Sequence, residues 1–406
     1  MQHNNILTDT ARQIGDELCL SALWHKDACT WVTRQAEGAS EQFISLKGDW
    51  YTGTSGISVF LAALYKQTGN AIYRHTARGA LVQATGSADD FDRQGRYGLH
   101  TGVYGVPFAY LHCGRLLDDE ALVARGLELA DRYADNAEKT TETDIIGGLA
   151  GILKVLLLAY QISGEERFLV HSRQLGGKLL ARATRHEQDN LLSWRTVEKQ
   201  VQDLTGLAHG VSGIGAIFSE LYAHDDNPEW KEAAEKAIAY ENRSYSKEQN
   251  NWIDYRYLEK KEEWKPGSMM AWCHGAPGIG LTRVHLARNL QTDKYSNDLN
   301  TAVSSTKQHL QYTLQSKNGN FSLCHGMLGN AELLVYAAEV LEDDGLLQDA
   351  RSIATGIVHI VRQNDLPWLS GFNNGKETAG FMLGNAGIGY QLLRTADPAT
   401  FPGLLI

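Results

Sequence analysis

Seven times in this 406-residue chain, two glycines three residues apart lead into an apolar run with little charge. The elements begin at Gly53, Gly102, Gly148, Gly210, Gly275, Gly326 and Gly384, as in GLAGILKVLLLAY and GVSGIGAIFSELY. Successive starts lie 49, 46, 62, 65, 51 and 58 residues apart, the length of two helices and their connections. The runs read as helices buried on most sides. Between them lie amphipathic stretches such as ALVARGLELADRYA and GLLQDARSIATGIVHIV, which read as outer helices. No sustained two-residue alternation and no Asn-Gly hairpin occurs. The pattern predicts an all-α fold of about fourteen helices in seven hairpins. Closure into an α/α toroid is expected over an open solenoid, because every inner run is apolar and neither end carries a polar capping repeat. Glycine at each inner start should let backbone approach backbone near a common axis, leaving the first N–H groups unpaired toward a central site.

Composition fits that reading. Forty glycines with only seven prolines and 43 % apolar residues exclude a disordered linker or a collagen-like repeat. A net charge of −10 argues against a nucleic-acid or anionic-membrane surface, and no run of eighteen apolar residues could span a bilayer. The opening MQHNNILTDTARQIGDELCL lacks the basic and apolar regions of a signal peptide. Five cysteines, an odd number at wide spacing, do not form a secreted disulfide framework. A soluble cytoplasmic protein is expected. Length alone would suggest two or three domains, but no boundary is visible, so the chain reads as one domain over residues 1–406. Polar insertions at 186–203 and 241–268 lengthen two repeats. The second carries Trp252, Tyr255, Tyr257 and Trp264 among charges, either a lid contacting peptide or a solvated loop with anchoring aromatics.

Chemistry sits beside the glycines. Cys273-His274-Gly275 opens the fifth repeat, Cys324-His325-Gly326 the sixth and His209-Gly210 the fourth. Two thiolates and an imidazole make a Cys₂His zinc site with one position open, a catalytic arrangement, and donor softness favours zinc over magnesium or calcium. Spacing leaves open which of His209, His274 and His325 completes the set. Such a centre lowers the pKa of an entering thiol and suits thiol addition better than hydrolysis. Cys19, Cys29 and Cys113 read as buried fillers. Asp144, ahead of the third inner helix, reads from its position as an N-cap. His100, at the second repeat, reads as packing more than as cavity lining.

Together these residues resemble the lanthionine synthetase C-like (LanC-like) cyclases over essentially the whole chain. The resemblance rests on the seven repeats, Trp272-Cys273-His274-Gly275-Ala276-Pro277-Gly278, Cys324-His325-Gly326 and Asp144-Ile145-Ile146-Gly147-Gly148. The Asn251-Trp252-x-Asp254-x-Arg256 stretch and the C-terminal FMLGNAGIGYQLLRTADPATFPGLL look most like the cyclase domain of class II bifunctional lanthipeptide synthetases. The resemblance implies an α/α toroid with one Zn2+ held by Cys273, Cys324 and His325. His209 and Asp144 would serve proton transfer; His274, read only from its place beside Cys273, would orient that ligand or line the cavity against the peptide. The implied reaction adds cysteine thiols of a dehydrated precursor peptide to dehydroalanine or dehydrobutyrine, forming lanthionine or methyllanthionine rings. Addition of glutathione or another thiol, or a peptide-binding scaffold with structural zinc, are the alternatives. The resemblance also leaves room for a separate dehydratase, an export transporter and peripheral attachment to a membrane-associated complex. Two departures stand out. A chain of 406 residues has no room for the dehydratase region of bifunctional relatives, so a stand-alone, split or excised form is expected. Met269 and His274 stand where some stand-alone cyclases carry arginine and tyrosine, so roles tied to those residues do not carry over.

Overall fold

Behind each glycine pair the apolar run forms a helix: α2 (Thr54–Thr68), α4 (Gly105–Leu116), α7 (Leu149–Ser163), α9 (Val211–Asp225), α11 (Ala276–Leu290), α13 (Met327–Val340) and α15 (Asn385–Ala396). The amphipathic stretches form α1 (Gln2–Ser21), α3 (Ala71–Arg93), α5 (Glu120–Arg132), α8 (Glu166–Ala181), α10 (Pro228–Asn242), α12 (Ser296–Ser316) and α14 (Asp344–Gln363). With the single turn α6 (Ala134–Ala137), these are the helices of a computed structural model that describes residues 2–37, 40–197, 200, 202–256, 267–372 and 376–406. The expected alternation is present throughout. Every residue from Thr54 to Leu64 of α2 and from Val211 to Leu221 of α9 is buried, as apolarity on all sides requires. None of the described helices is long and apolar enough to cross a membrane.

The chain gathers into two compact units, each built from separate segments. Unit 1 comprises Met1–Asn136, Lys317–Leu328 and Arg351–Pro402; unit 2 comprises Ala137–Ser316, Gly329–Ala350 and Gly403–Ile406. In unit 1, α2 pairs with α3 and α4 with α5, while α15 pairs with α1. The first helix thus completes the seventh hairpin, a pairing that repeat spacing did not reveal. In unit 2, α7 pairs with α8, α9 with α10 and α11 with α12, and α9 packs against both α7 and α11.

The glycines do permit close backbone approach, but the N–H groups behind them are not left unpaired. Before each buried helix the chain makes a turn that passes beneath the helix start. The first helical N–H then donates to a carbonyl seven residues earlier: Thr54 to Lys47, Val211 to Leu204, Met327 to Asn320 and Asn385 to Thr378, at 2.8–3.0 Å. Val103 to Arg96 and Leu149 to Glu142 repeat the pattern. The leading N–H groups are therefore paired locally instead of pointing unpaired into a centre. A Cβ on Gly213, Gly278 or Gly387 would run into the carbonyl of Leu207, Trp272 or Phe381, in each case the sixth residue back.

Among the described residues, strands form four antiparallel ribbons: β1 (Leu23–His25) with β2 (Ala28–Thr30), β3 (Val32–Glu37) with β4 (Ser40–Ser45), β5 (Thr184–His186) with β6 (Leu191–Ser193), and β7 (Tyr245–Ser246) with β8 (Asn251–Trp252). The last two pairs lie in or at the edge of the polar insertions. Arms of two or three residues are too short to show as alternation, which is why the sequence hides them. Trp252 is buried, crossing Tyr245 at 5.1 Å, and Tyr255 donates its hydroxyl to Ser244 at 3.0 Å. Those two aromatics anchor the loop; Tyr257 and Trp264 lie outside the described residues.

Three helices of unit 2 are tied by a buried charge cluster. Glu220 on α9 accepts from Lys154 on α7 at 3.0 Å and faces His285 Nε2 on α11 at 3.0 Å. Burial by itself would raise the Glu220 carboxyl, but Lys154 and His285 outweigh it and hold the group down at about 2. Its stabilising charge is complete above its ordinary value near 4.5 and is lost as pH falls toward 2, on the order of 3 kcal/mol. Acid unfolding followed by circular dichroism should therefore steepen across that interval in the native protein and flatten in Glu220→Gln. A second prediction separates the glycines. Gly387→Ala should cost about 1–3 kcal/mol in urea unfolding through its forced contact, whereas exposed Gly177, with nothing near its missing Cβ, should give Ala about 0.5–1 kcal/mol of stabilisation.

Candidate active site

The turns before α7, α9 and α11 bring Asp144, His209 and Cys273-His274 into one network within unit 2. Asp144 uses its two oxygens differently. Oδ1 accepts from the Gly147 and Gly148 amides at 2.8 and 3.0 Å, closing the turn ahead of α7. Oδ2 meets His209 Nδ1 at 2.5 Å. The cap and proton-transfer readings are thus both present in one side chain. Because a carboxylate only accepts, the His209 Nδ1 carries the proton and Nε2 is left as the exchangeable nitrogen. Asp144 is buried, while the His209 side chain is 35 % exposed.

The loop Thr205–His209 is stitched to Cys273 and His274. Ala208 N–H donates to the Cys273 carbonyl at 3.1 Å, and His274 Nδ1 donates to the Thr205 carbonyl at 3.2 Å. Gly206 adopts φ +96°, and a Cβ there would press on the Cys273 carbonyl and on His274 itself. Beneath it, the Gly206 amide donates to Glu241 Oε1 at 2.8 Å, and Glu241 is paired at 3.0 Å with Arg283, both side chains fully buried. The His209 and His274 rings lie 6.0 Å apart at an interplanar angle of 25°. Burial, with help from the positive charge of Arg256, holds His274 well below the usual imidazole range, so it is neutral at pH 7. Its Nε2 has no hydrogen-bond partner.

The fifth repeat departs from the turn pattern, and Asn251 supplies what is missing. Gly275 has φ +91°, and the Ala276 N–H donates to Asn251 Oδ1 at 2.8 Å in place of a carbonyl seven residues back. Asn251 Nδ2 meanwhile donates to the Met269 carbonyl at 3.1 Å. Asp254 then holds Arg256 by Nε and Nη2, at 3.0 and 2.7 Å, with Nη2 also on Met269 Sδ at 3.2 Å. Burial would raise the Asp254 carboxyl, but the Arg256 hydrogen bonds outweigh it and keep it ionised. Asn251, Asp254 and Arg256 entered the sequence reading only as shared wording; their spacing of two and three residues carried no metal or catalytic pattern.

Cys324 and His325 belong to unit 1, on the turn before α13. Cys324 N–H donates to the Met382 carbonyl at 2.9 Å. His325 Nε2 lies 2.7 Å from the Gly371 carbonyl and must donate to it, so Nδ1 is the nitrogen that carries the lone pair. Gly371 leaves room for that ring, since a Cβ would meet His325 Cε1 at 3.0 Å. Cys273 and Cys324 are both buried, and none of the five cysteines is in a disulfide. Among the described residues no three His, Cys, Asp or Glu side chains are grouped as a metal cluster. On the turn before α13, a thiol stands next to an imidazole whose tautomer is fixed by a backbone carbonyl, donor chemistry of the kind zinc takes. Cys29 and Cys113 are fillers as expected, hydrogen-bonded to the Thr76 carbonyl and to Ser58, with burial pushing both thiols up to about 12. His100 is packed against Tyr51.

The Asp144–His209 contact makes a prediction that needs no substrate. Asp144→Asn keeps an oxygen for the turn amides, so unfolding free energy should change by only about 1 kcal/mol. Its amide would face the His209 Nδ1 proton, and the imidazole should change tautomer. Nitrogen-15 imidazole shifts check this; an unaltered His209 tautomer contradicts it.

Comparison with known proteins places this geometry in a family. The model of the family described as lanthionine synthetase C-like protein matches residues 45–406. The chain is 24 % identical over 404 residues to the lacticin 481/lactococcin biosynthesis protein LcnDR2 of Lactococcus lactis subsp. lactis, covering 94 % of this chain and 39 % of that one. It is 26 % identical over 316 residues to the nisin biosynthesis protein NisC of the same organism, covering 70 % of this chain and 72 % of that one. Among solved structures, a nisin cyclase matches with a TM-score of 0.62 at 22 % identity, covering 87 % of this chain and 90 % of that one. That likeness shows the fold, the all-α, α/α toroid class expected from the repeats. The chain spans about two fifths of the length of LcnDR2. With a family model matching from Leu46's neighbour at position 45 through the last residue, the chain belongs to the lanthionine synthetase C-like family.

Proposed function

We propose that the chain is a lanthionine synthetase: it adds cysteine thiols of a dehydrated precursor peptide to dehydroalanine or dehydrobutyrine, closing thioether rings. The observation that carries this reading is the Asp144–His209 pair, a half-exposed imidazole oriented by a buried carboxylate and held beside Cys273-His274 by the Thr205–His209 loop. Cys273, Cys324 and His325 would hold zinc, which when bound supplies a Lewis acid that lowers the pKa of a substrate thiol.

The remaining work falls to the chain's own groups. His209 Nε2 accepts the thiol proton while Asp144 stabilises the resulting imidazolium through Nδ1. The sulfur lone pair forms the C–S bond at the β-carbon, and the π electrons of the alkene move to the α-carbon and its carbonyl. His209 returns the proton to the α-carbon, so the net change is addition of S–H across C=C with no oxidant or reductant. Neutral His274, buried behind His209, supports that ring by stacking on it. Holding alkene and thiol together supplies the proximity that a flexible peptide lacks.

The test uses a synthetic peptide with one dehydroalanine and one cysteine, its residual thiol counted by alkylation and mass spectrometry against a no-protein control. His209→Asn should slow cyclisation about 100-fold while zinc content stays at one per chain. Cys324→Ala should lose both zinc and rate, and a chelator should do the same to the native protein until zinc is restored. Native protein that cyclises no faster than the control, or Cys324→Ala at the native rate, overturns the proposal.

A further inference from the structure

The reaction passes through an enolate, and nothing assigned so far holds its negative oxygen. Arg256 is the cation placed to do so. Its side chain is 27 % exposed, so the guanidinium is reachable from solvent, yet it is fixed: Nε and Nη2 both sit on the buried Asp254 carboxylate. Asp254 is itself anchored through its own N–H to the Gly267 carbonyl at 2.9 Å. Nη2 also touches Met269 Sδ, four residues before Cys273. The charges of Asp254 and Arg256 both act on the buried His274 ring, which stacks on His209. The carboxylate of this pair is buried while the cation is part-exposed, and the guanidinium sits beside Met269, close enough for its charge to act on the His274 ring that stacks on His209.

We propose that Arg256, oriented by Asp254, is a catalytic residue that binds the carbonyl oxygen of the dehydroamino acid and stabilises its enolate. This rests on the cyclase reading above. As sulfur bonds to the β-carbon, the displaced π pair places negative charge on that oxygen, opposite the guanidinium; protonation of the α-carbon by His209 then discharges it. A fixed cation aimed at charge that develops only in the transition state raises kcat more than it lowers KM. The planar fork of arginine suits a carbonyl oxygen better than a lysine point charge.

The same dehydroalanine–cysteine peptide tests it. Arg256→Gln should lower kcat about 100-fold with KM changed less than about threefold. Melting temperature and zinc content should match native protein. Arg256→Lys should recover only part of the rate, and guanidinium ion at millimolar concentration should raise the rate of Arg256→Ala but not of native protein. Asp254→Asn should lower kcat in the same direction by loosening the guanidinium. A native kcat in Arg256→Gln overturns the inference, as does a raised KM with kcat unchanged, which would make Arg256 a peptide-binding residue. A lowered melting temperature without guanidinium rescue overturns it too, reducing the pair to a structural tether. Native protein with no rate above the control would instead sink the cyclase reading itself.

Discussion

The chemistry of this protein depends on one backbone device, a turn beneath the buried helices that in six of the seven repeats accepts an N–H from seven residues on. Glycine is required where that turn and the helix pass within van der Waals contact, at Gly213, Gly278 and Gly387 among others. The residue just before the first glycine is thereby held at a fixed place by backbone alone. His209, His274 and His325 occupy that position in three repeats. A reactive side chain is then oriented by the fold's most repeated element, which suits preorganisation.

Where the device is altered, the site gains something. At the fifth repeat the Ala276 N–H goes to the Asn251 side chain, and Asn251 also grips the Met269 carbonyl. The segment leading to Cys273 is tied to a loop residue eighteen positions earlier, and that loop carries Asp254 and Arg256. From below, the fully buried Arg283–Glu241 pair takes up the Gly206 amide, so the histidine loop is fixed from both sides. Ion pairs buried this deeply contribute less to net stability than to holding one arrangement, because desolvation offsets much of their attraction.

The fold was largely legible. Glycine pairs followed by apolar runs located all seven buried helices, and amphipathic spacing located their partners. What could not be read were relations between distant residues. The pairing of α1 with α15 spans the chain, and nothing in a repeat of about fifty residues encodes it. The glycines do let backbone approach backbone, but a local turn as well as a neighbouring repeat crowds them, and no sequence pattern separates the two. In the site, Asp144 and His209 could be named from their places before helices, but not their direct contact, sixty-five residues apart. The His325 tautomer depends on a carbonyl forty-six residues away, and Arg256 gains its meaning only from the burial of Asp254.

The most direct test of the account is the stereochemical outcome of ring closure in deuterium oxide. If His209 delivers the proton to the α-carbon within a fixed site, native protein should give one diastereomer of the lanthionine, carrying a single deuterium at that carbon. A diastereomer mixture equal to that formed without protein would contradict the account.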